Sequence, residues 1–343
     1  MTKPRTITAK NPDDLLAVVP RILGFHPEDS VVLLSLGSAD DPFHARADLP
    51  DDPDERSELV ARLSAMARRH GVRRGAIVVY SGESDRAERV QVLLQGALEE
   101  VGVEVVATIR ADGSRWFWMP RCGDACCPAE GTPYDVATHP FTAQSVFEGV
   151  VVLSSRRELQ DSLVGMDLEE IERVGRAADL AMDRFAQVAA RSSDEATMAG
   201  TRAHLVLEGH WVAQRVRRFL RDGTPLRVAE VGRLLVALVA IEVRDVAWAE
   251  MTHDNADRHV MLWRDVVRRS PRELIAAPAA LLGFAAWIGG DGALAWCAVE
   301  RCESAEPGYG LAGLLAQALA GGVPPSSWEP FDRRMLTLFA GSA

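Results

Sequence analysis

The stretch RCGDACCPAEGTPYDVATHP, residues 121–140, gathers three of the chain's five cysteines, Cys122, Cys126 and Cys127, beside Tyr134, Asp135 and His139. Zinc takes four sulfur or nitrogen ligands in a tetrahedron, and Cys122 with Cys126 supplies one C-x3-C half of such a set. Cys127 and His139 are the remaining metal candidates, with Asp135 as an alternative fourth ligand. The adjacent thiols of Cys126 and Cys127 aim poorly at one ion, and the second half of the site is a single histidine. Thiol redox chemistry is the second reading, although the spacing is not C-x-x-C. The third is that these cysteines are small buried hydrophobes in a packed loop.

Other residues could serve chemistry near this loop. His26, in the turn LGFHPEDS at the entry to a predicted strand, has a side chain suited to acid/base work, and Asp135 is the second acid/base candidate. A hydrogen-bonded structural histidine is the competing reading of His26. Trp116 and Trp118 are two residues apart on a predicted strand and share a face, so with Tyr134 they could stack on a planar ligand or cover a core. YSGESD (80–85) joins a strand to a helix, where α/β proteins bind ligands, but it has no phosphate-loop pattern. His204/Glu208 and His253/Asp257 are i, i+4 pairs of the kind usually solvated. RVRRFLR (215–221) could meet phosphate or pair with the chain's own carboxylates. Cys297 and Cys302, five apart on a predicted helix, read as core residues.

These candidates need elements to hold them. Helical apolar spacing over 13–23 leads into a hairpin of SVVLLSL (30–36) and FHARADL (43–49). A helix over 55–71, a strand over 75–82, a helix over 85–102 and a strand over 103–113 follow. Asp112-Gly113 then predicts a tight hairpin to RWFWMP (115–120). The result is an α/β N-terminal domain with a mixed sheet, residues 1–165. The helical period dominates from 141 onwards, giving an all-α C-terminal domain over 166–343, with helices near 201–221, 226–251, 257–269, 272–289, 291–304 and 308–320. Leu282-Gly283, Ala295 and Pro307 have the relative spacing of a tetratricopeptide-like helix pair, without a second copy upstream.

The segments LGFHPEDS and CCPAEGTPYD, with GDGALAW and EPGYGLAGLL near the C-terminus, resemble an actinobacterial domain-of-unknown-function family that carries L-G-F-H-P-x-x-S and C-C-P-x-E-G-T-P-Y-D motifs. The resemblance spans nearly the whole chain and implies no activity, substrate or catalytic residue. It does place both motifs in one domain, where His26, Asp135 and His139 would converge if the strand entry and the loop share a sheet end.

A chain of 343 residues with net charge −11 repels nucleic acid and anionic membrane as a whole, so nucleic acid is not the expected partner. Arginine supplies all positive charge beyond Lys3 and Lys10, which suggests a GC-rich bacterial genome. The polar N-terminus lacks an apolar signal segment, and the apolar runs 234–243 and 277–290 are too short to span a bilayer, so a cytoplasmic protein is expected. With no complete catalytic constellation and with repeat-like helices, the first functional expectation is a binding or adaptor protein whose helical domain meets a protein partner or a second copy. A metal- or thiol-dependent enzyme or redox sensor at 121–140, with zinc as the candidate cofactor, is the alternative. A nucleotide- or small-ligand-binding α/β protein is the third.

Overall fold

Asn11 starts the first helix by accepting the N–H of Asp14 at 2.8 Å, with Pro12 at the first position and Asp13 and Asp14 favouring the positive helix end. In the computed structural model, which describes residues 9–37, 43–121, 127–190 and 194–332 with Leu336 and Leu338, this helix, α1, spans Pro12–Leu23. For 188–190 and 194–199 only the backbone is described. α1 ends at Gly24, whose φ of +76° is open to glycine at little cost.

The chain divides into two compact units, Met1–Glu158 and Leu159–Ala343. In the first, β1 (Ser30–Leu36) and β2 (His44–Asp48) form the expected hairpin, followed by α2 (Pro53–Arg69), β3 (Arg74–Tyr80), α3 (Ser84–Glu100) and β4 (Glu104–Ala111). Asp112 makes the next turn, accepting the N–H groups of Ser114 and Arg115 at 2.9 and 2.8 Å, and β5 (Arg115–Trp118) runs back along β4. β6 (Thr132–Pro133) adds an edge. The mixed sheet has the order β2-β1-β3-β4-β5-β6, with β3 and β4 parallel and the other neighbours antiparallel.

Alternation along the strands sorts the two faces. Val31, Leu33, Ile77 and Val79 pack with Leu59, Leu63, Val90, Leu94 and Leu98 of α2 and α3. Val32, Leu34, Val78 and Ile109 are equally buried on the opposite face. At one sheet end the register aligns Ser30, Tyr80, Ala111, Trp116 and Thr132. Here the structure departs from a helical reading of the whole 141–165 stretch. α4 (Pro140–Phe147) stops before Gly149, whose φ is +72°, and Leu153 pairs with Phe25 in an isolated bridge before α5 (Arg156–Asp161). Glycine at a positive φ ends the helix and frees the valine run to bond elsewhere.

The second unit is helical: α6 (Leu168–Ala190), α7 (Asp194–Asp222), α8 (Val228–Ala237), α9 (Ile241–Trp248), α10 (Ala256–Arg269), α11 (Ala276–Ile288), α12 (Gly292–Ala305) and α13 (Gly310–Ala320). The expected single helix over 226–251 is broken between α8 and α9, with Ala240 extended at the new start. No Gly or Pro lies at that break. Every residue of α11 is buried, which explains its apolar run as a core helix. α11 and α12 form the expected helix pair, and an added Cβ on Gly283 would lie 2.7 Å from Leu315 and 3.4 Å from the Ala295 carbonyl, so glycine permits this three-helix contact. Among the described residues, no helix is long and apolar enough to cross a membrane.

Candidate functional site

β6 returns the 121–140 loop to the sheet end where β1 begins and β3 and β4 finish, because Pro133 pairs with Arg115. Gly131 anchors the return. Its φ is +74°, and a Cβ there would lie 2.5 Å from the Phe117 ring. Arg115 holds the same turn by donating to the carbonyls of Glu130 and Gly131 at 3.2 and 2.9 Å. Cys122 and Cys126 lie outside the described residues, and Cys127 is half-buried.

His139 caps α4. Its Nδ1 accepts the Phe141 N–H at 3.2 Å, which leaves the proton on Nε2 to donate to Asp14 Oδ1 at 3.1 Å. Both ring nitrogens are therefore engaged within the chain, tying α4 to α1. Asp135 makes a local turn, accepting from the Ala137 N–H at 2.9 Å and the Thr138 hydroxyl at 3.2 Å. His26 is exposed, though partial burial lowers its pKa, and its N–H donates to the Leu153 carbonyl at 3.0 Å. The three share a sheet end, but among the described residues no hydrogen bond or ion pair joins His26, Asp135 and His139.

Trp116 and Trp118 share one sheet face, with ring centroids 5.5 Å apart edge to face. Trp116 Nε1 donates to Asp13 Oδ1 at 3.2 Å and is buried. Tyr134 is half-buried, and burial and the Asp112 charge raise its pKa against the lowering effect of the Gly113 N–H. It is close enough to Tyr80 to add to the burial that pushes the Tyr80 pKa up, and among the described residues the buried Tyr80 hydroxyl has no hydrogen-bond partner. Asp112 is lowered: burial opposes ionisation, but the Ser114 and Arg115 N–H groups, the Ser114 hydroxyl and the Arg110 guanidinium outweigh it. Arg110 also fixes the 80–85 loop through the Ser81 carbonyl at 3.0 Å and stacks 4.0 Å above the Phe117 ring.

The feature that sequence reasoning missed is in the helical unit. Between α6, α7 and α8 runs a groove of about 490 Å³ lined by Leu180, Met182 and Phe185 from α6, Leu205 from α7, and Val236 and Val239 at the end of α8. Its polar pole is Glu208, which takes Arg233 in a fork at 2.8 and 3.0 Å, with His204 Nε2 3.7 Å away. Arg233 lies 4.3 Å over the Trp211 ring. Gly232 lets α8 approach α6, since a Cβ there would be 2.7 Å from Ala177. Leu180 and Val239 remain 61% and 60% exposed at the rim, far more than an internal packing surface would leave. The visible signal was His204/Glu208 at i, i+4, but Arg233 is the partner that buries the pair, and it is 25 residues away in sequence.

The arginine run finds carboxylates in its own unit: Arg215 and Arg218 meet Glu230, Arg217 meets Glu250, and Arg221 meets Asp222. Cys297 and Cys302 are buried, and the Cys302 thiol, pushed up to about 12 by burial and by Glu303 and Glu306, donates to the Ala276 carbonyl. Among the described residues, no group of three or more His, Cys, Asp or Glu side chains is placed to hold a metal ion.

The chain belongs to the family described as a domain of unknown function, DUF4192, which it matches over residues 12–326. No curated protein and no solved structure matches it.

Proposed function

We propose that this DUF4192 protein is a cytoplasmic binding protein of actinobacterial type, whose helical unit receives the apolar face of an amphipathic helix from a protein partner. The observation that carries this reading is the open groove between α6, α7 and α8, with Leu180 and Val239 exposed beside the half-buried Phe185 and the buried Ala237. Helix-in-groove recognition needs such an apolar trough, in which side chains spaced at i, i+3 and i+4 find anchors. The Glu208–Arg233 pair, held between α7 and α8, keeps the trough's floor in one geometry.

Charge defines the partner further. Asp179, Asp183 and Glu242 are exposed next to the lining positions, against Arg184, and the whole chain carries −11. An acidic rim favours a helix whose polar flank is basic, which speeds encounter and selects among apolar helices.

The test is co-purification of the tagged full chain from its own cells, comparing wild type with Leu180→Glu and Val239→Glu. Both positions are exposed, so the variants should keep the wild-type melting temperature. A partner retained by wild type and lost from both variants supports the reading. A partner retained equally by all three, or a self-complex of the chain lost from both variants, overturns it.

A further inference from the structure

A second cavity lies along α7. Arg215, Arg217, Arg218 and Arg221, with His210 and Gln214, line a cavity of about 340 Å³. Arginine sequences of this kind usually end as solvated ion pairs, and part of this one does. Arg217 is fully used, in a bidentate pair with Glu250 at 2.7 and 2.8 Å.

The other three are undersupplied with acceptors. Arg215 donates to Gln214 Oε1 and to Glu230, each at 3.1 Å, and the same Glu230 carboxylate also serves Arg218 at 3.0 and 3.2 Å and the Arg227 N–H at 2.9 Å. Both of its oxygens are thereby shared. Among the described residues, the Nε groups of Arg215 and Arg218 are buried without a hydrogen-bond partner. Among the described residues, Arg221 pairs only with its neighbour Asp222, at 3.3 Å, and its side chain is 73% exposed. Each guanidinium presents five N–H donors in a rigid fork, so donors exceed acceptors here. Four cations also face three carboxylates, leaving a local positive surplus in a chain of net charge −11.

We infer that this cavity binds a phosphoryl oxyanion. A phosphoryl group offers three terminal oxygens and up to two negative charges, and arginine forks take such oxygens in pairs. A single carboxylate would add only a second Glu230. The phosphoryl group could belong to a small diphosphate-bearing molecule or to a phosphorylated chain, and both offer the same chemistry to the cavity. This site is independent of the helix groove.

The experiment is calorimetric titration of the full chain at low salt with inorganic pyrophosphate and, separately, with O-phospho-L-serine. At least one should bind in the millimolar range or tighter. Arg218→Gln should weaken it about tenfold, as expected for loss of a charge-assisted fork. Because Arg218 also holds Glu230, Arg221→Gln is the second variant; its exposed side chain leaves the fold intact, and it should weaken binding about threefold. Arg74→Gln, on the sheet of the other unit, should change nothing. Tighter pyrophosphate binding would point to a small diphosphate, and tighter phosphoserine binding to a phosphorylated chain. Failure of both to bind, or binding that Arg218→Gln and Arg221→Gln leave unchanged, overturns the proposal.

Discussion

Glu208 on α7 and Arg233 on α8 meet in a two-bonded fork at 2.8 and 3.0 Å, and the same guanidinium lies 4.3 Å above Trp211. The pair holds together two of the three helices that wall the groove. Glu208 is 9% exposed, so removing its charge leaves a partly buried guanidinium without its partner. Glu208→Gln should lower stability by about 2 kcal/mol, read from the urea midpoint. A Glu208→Leu/Arg233→Met double variant should recover much of that loss, since it removes both charges at similar volume. A double variant less stable than Glu208→Gln would contradict this account of the pair.

Gly232 sits where α8 comes closest to α6. The Cβ of an alanine there would lie 2.7 Å from the Ala177 Cβ and from the Ala178 backbone nitrogen, a distance that real side chains do not reach. Gly232→Ala should therefore cost about 1–3 kcal/mol by overpacking, despite alanine's better helix propensity. A stabilised Gly232→Ala protein in thermal unfolding would show that α6 and α8 are not packed as described.

Much of the sheet was legible because its signals are local. SVVLLSL announces a buried strand, and Asp112-Gly113 announces the β4–β5 hairpin that brings Trp116 and Trp118 to one face. The groove was not legible. It depends on Arg233 reaching Glu208 across 25 residues and on a break after Leu238 that no Gly or Pro marks, both products of tertiary packing. The 148–153 stretch did carry a signal, Gly149, but its valines continue an apolar pattern that a helix and an extended segment share.

At Gly131 the two demands coincide: a left-handed φ of +74° and a Phe117 ring 2.5 Å from any added Cβ. Gly131→Ala should detach the return of the 121–140 loop from β5. Cys127 labelling by a thiol reagent should then speed up several-fold over wild type. Equal labelling rates would mean that the Gly131 contact does not hold the loop.

His259 makes stability depend on acid. It is fully buried, with Nδ1 accepting the Trp263 indole N–H at 3.2 Å and Nε2 3.1 Å from the Glu250 carbonyl, and burial lowers its pKa to about 4 against the raising effect of that carbonyl. An unfolded chain takes up this proton near pH 6.5, whereas the folded one does not until about pH 4. There is no penalty above pH 6.5; it grows as the pH falls towards 4 and is then constant. By pH 5 it amounts to roughly 2 kcal/mol. His44, also lowered to about 4 by burial, acts in the same direction. Urea midpoints taken from pH 7.5 to 5 should fall more steeply in wild type than in His259→Gln, and parallel profiles would rule out this histidine as a source.

The central claim is that a partner's helix seats between α6, α7 and α8. Its most direct test places a benzophenone amino acid at Leu180 of the full chain in its own cells and, as a control, at Leu314, which is similarly exposed on α13. The account predicts one cross-linked partner from position 180, joined through an amphipathic helix with a basic flank, and none of it from position 314. No adduct at 180, or the same adducts from both positions, would contradict it.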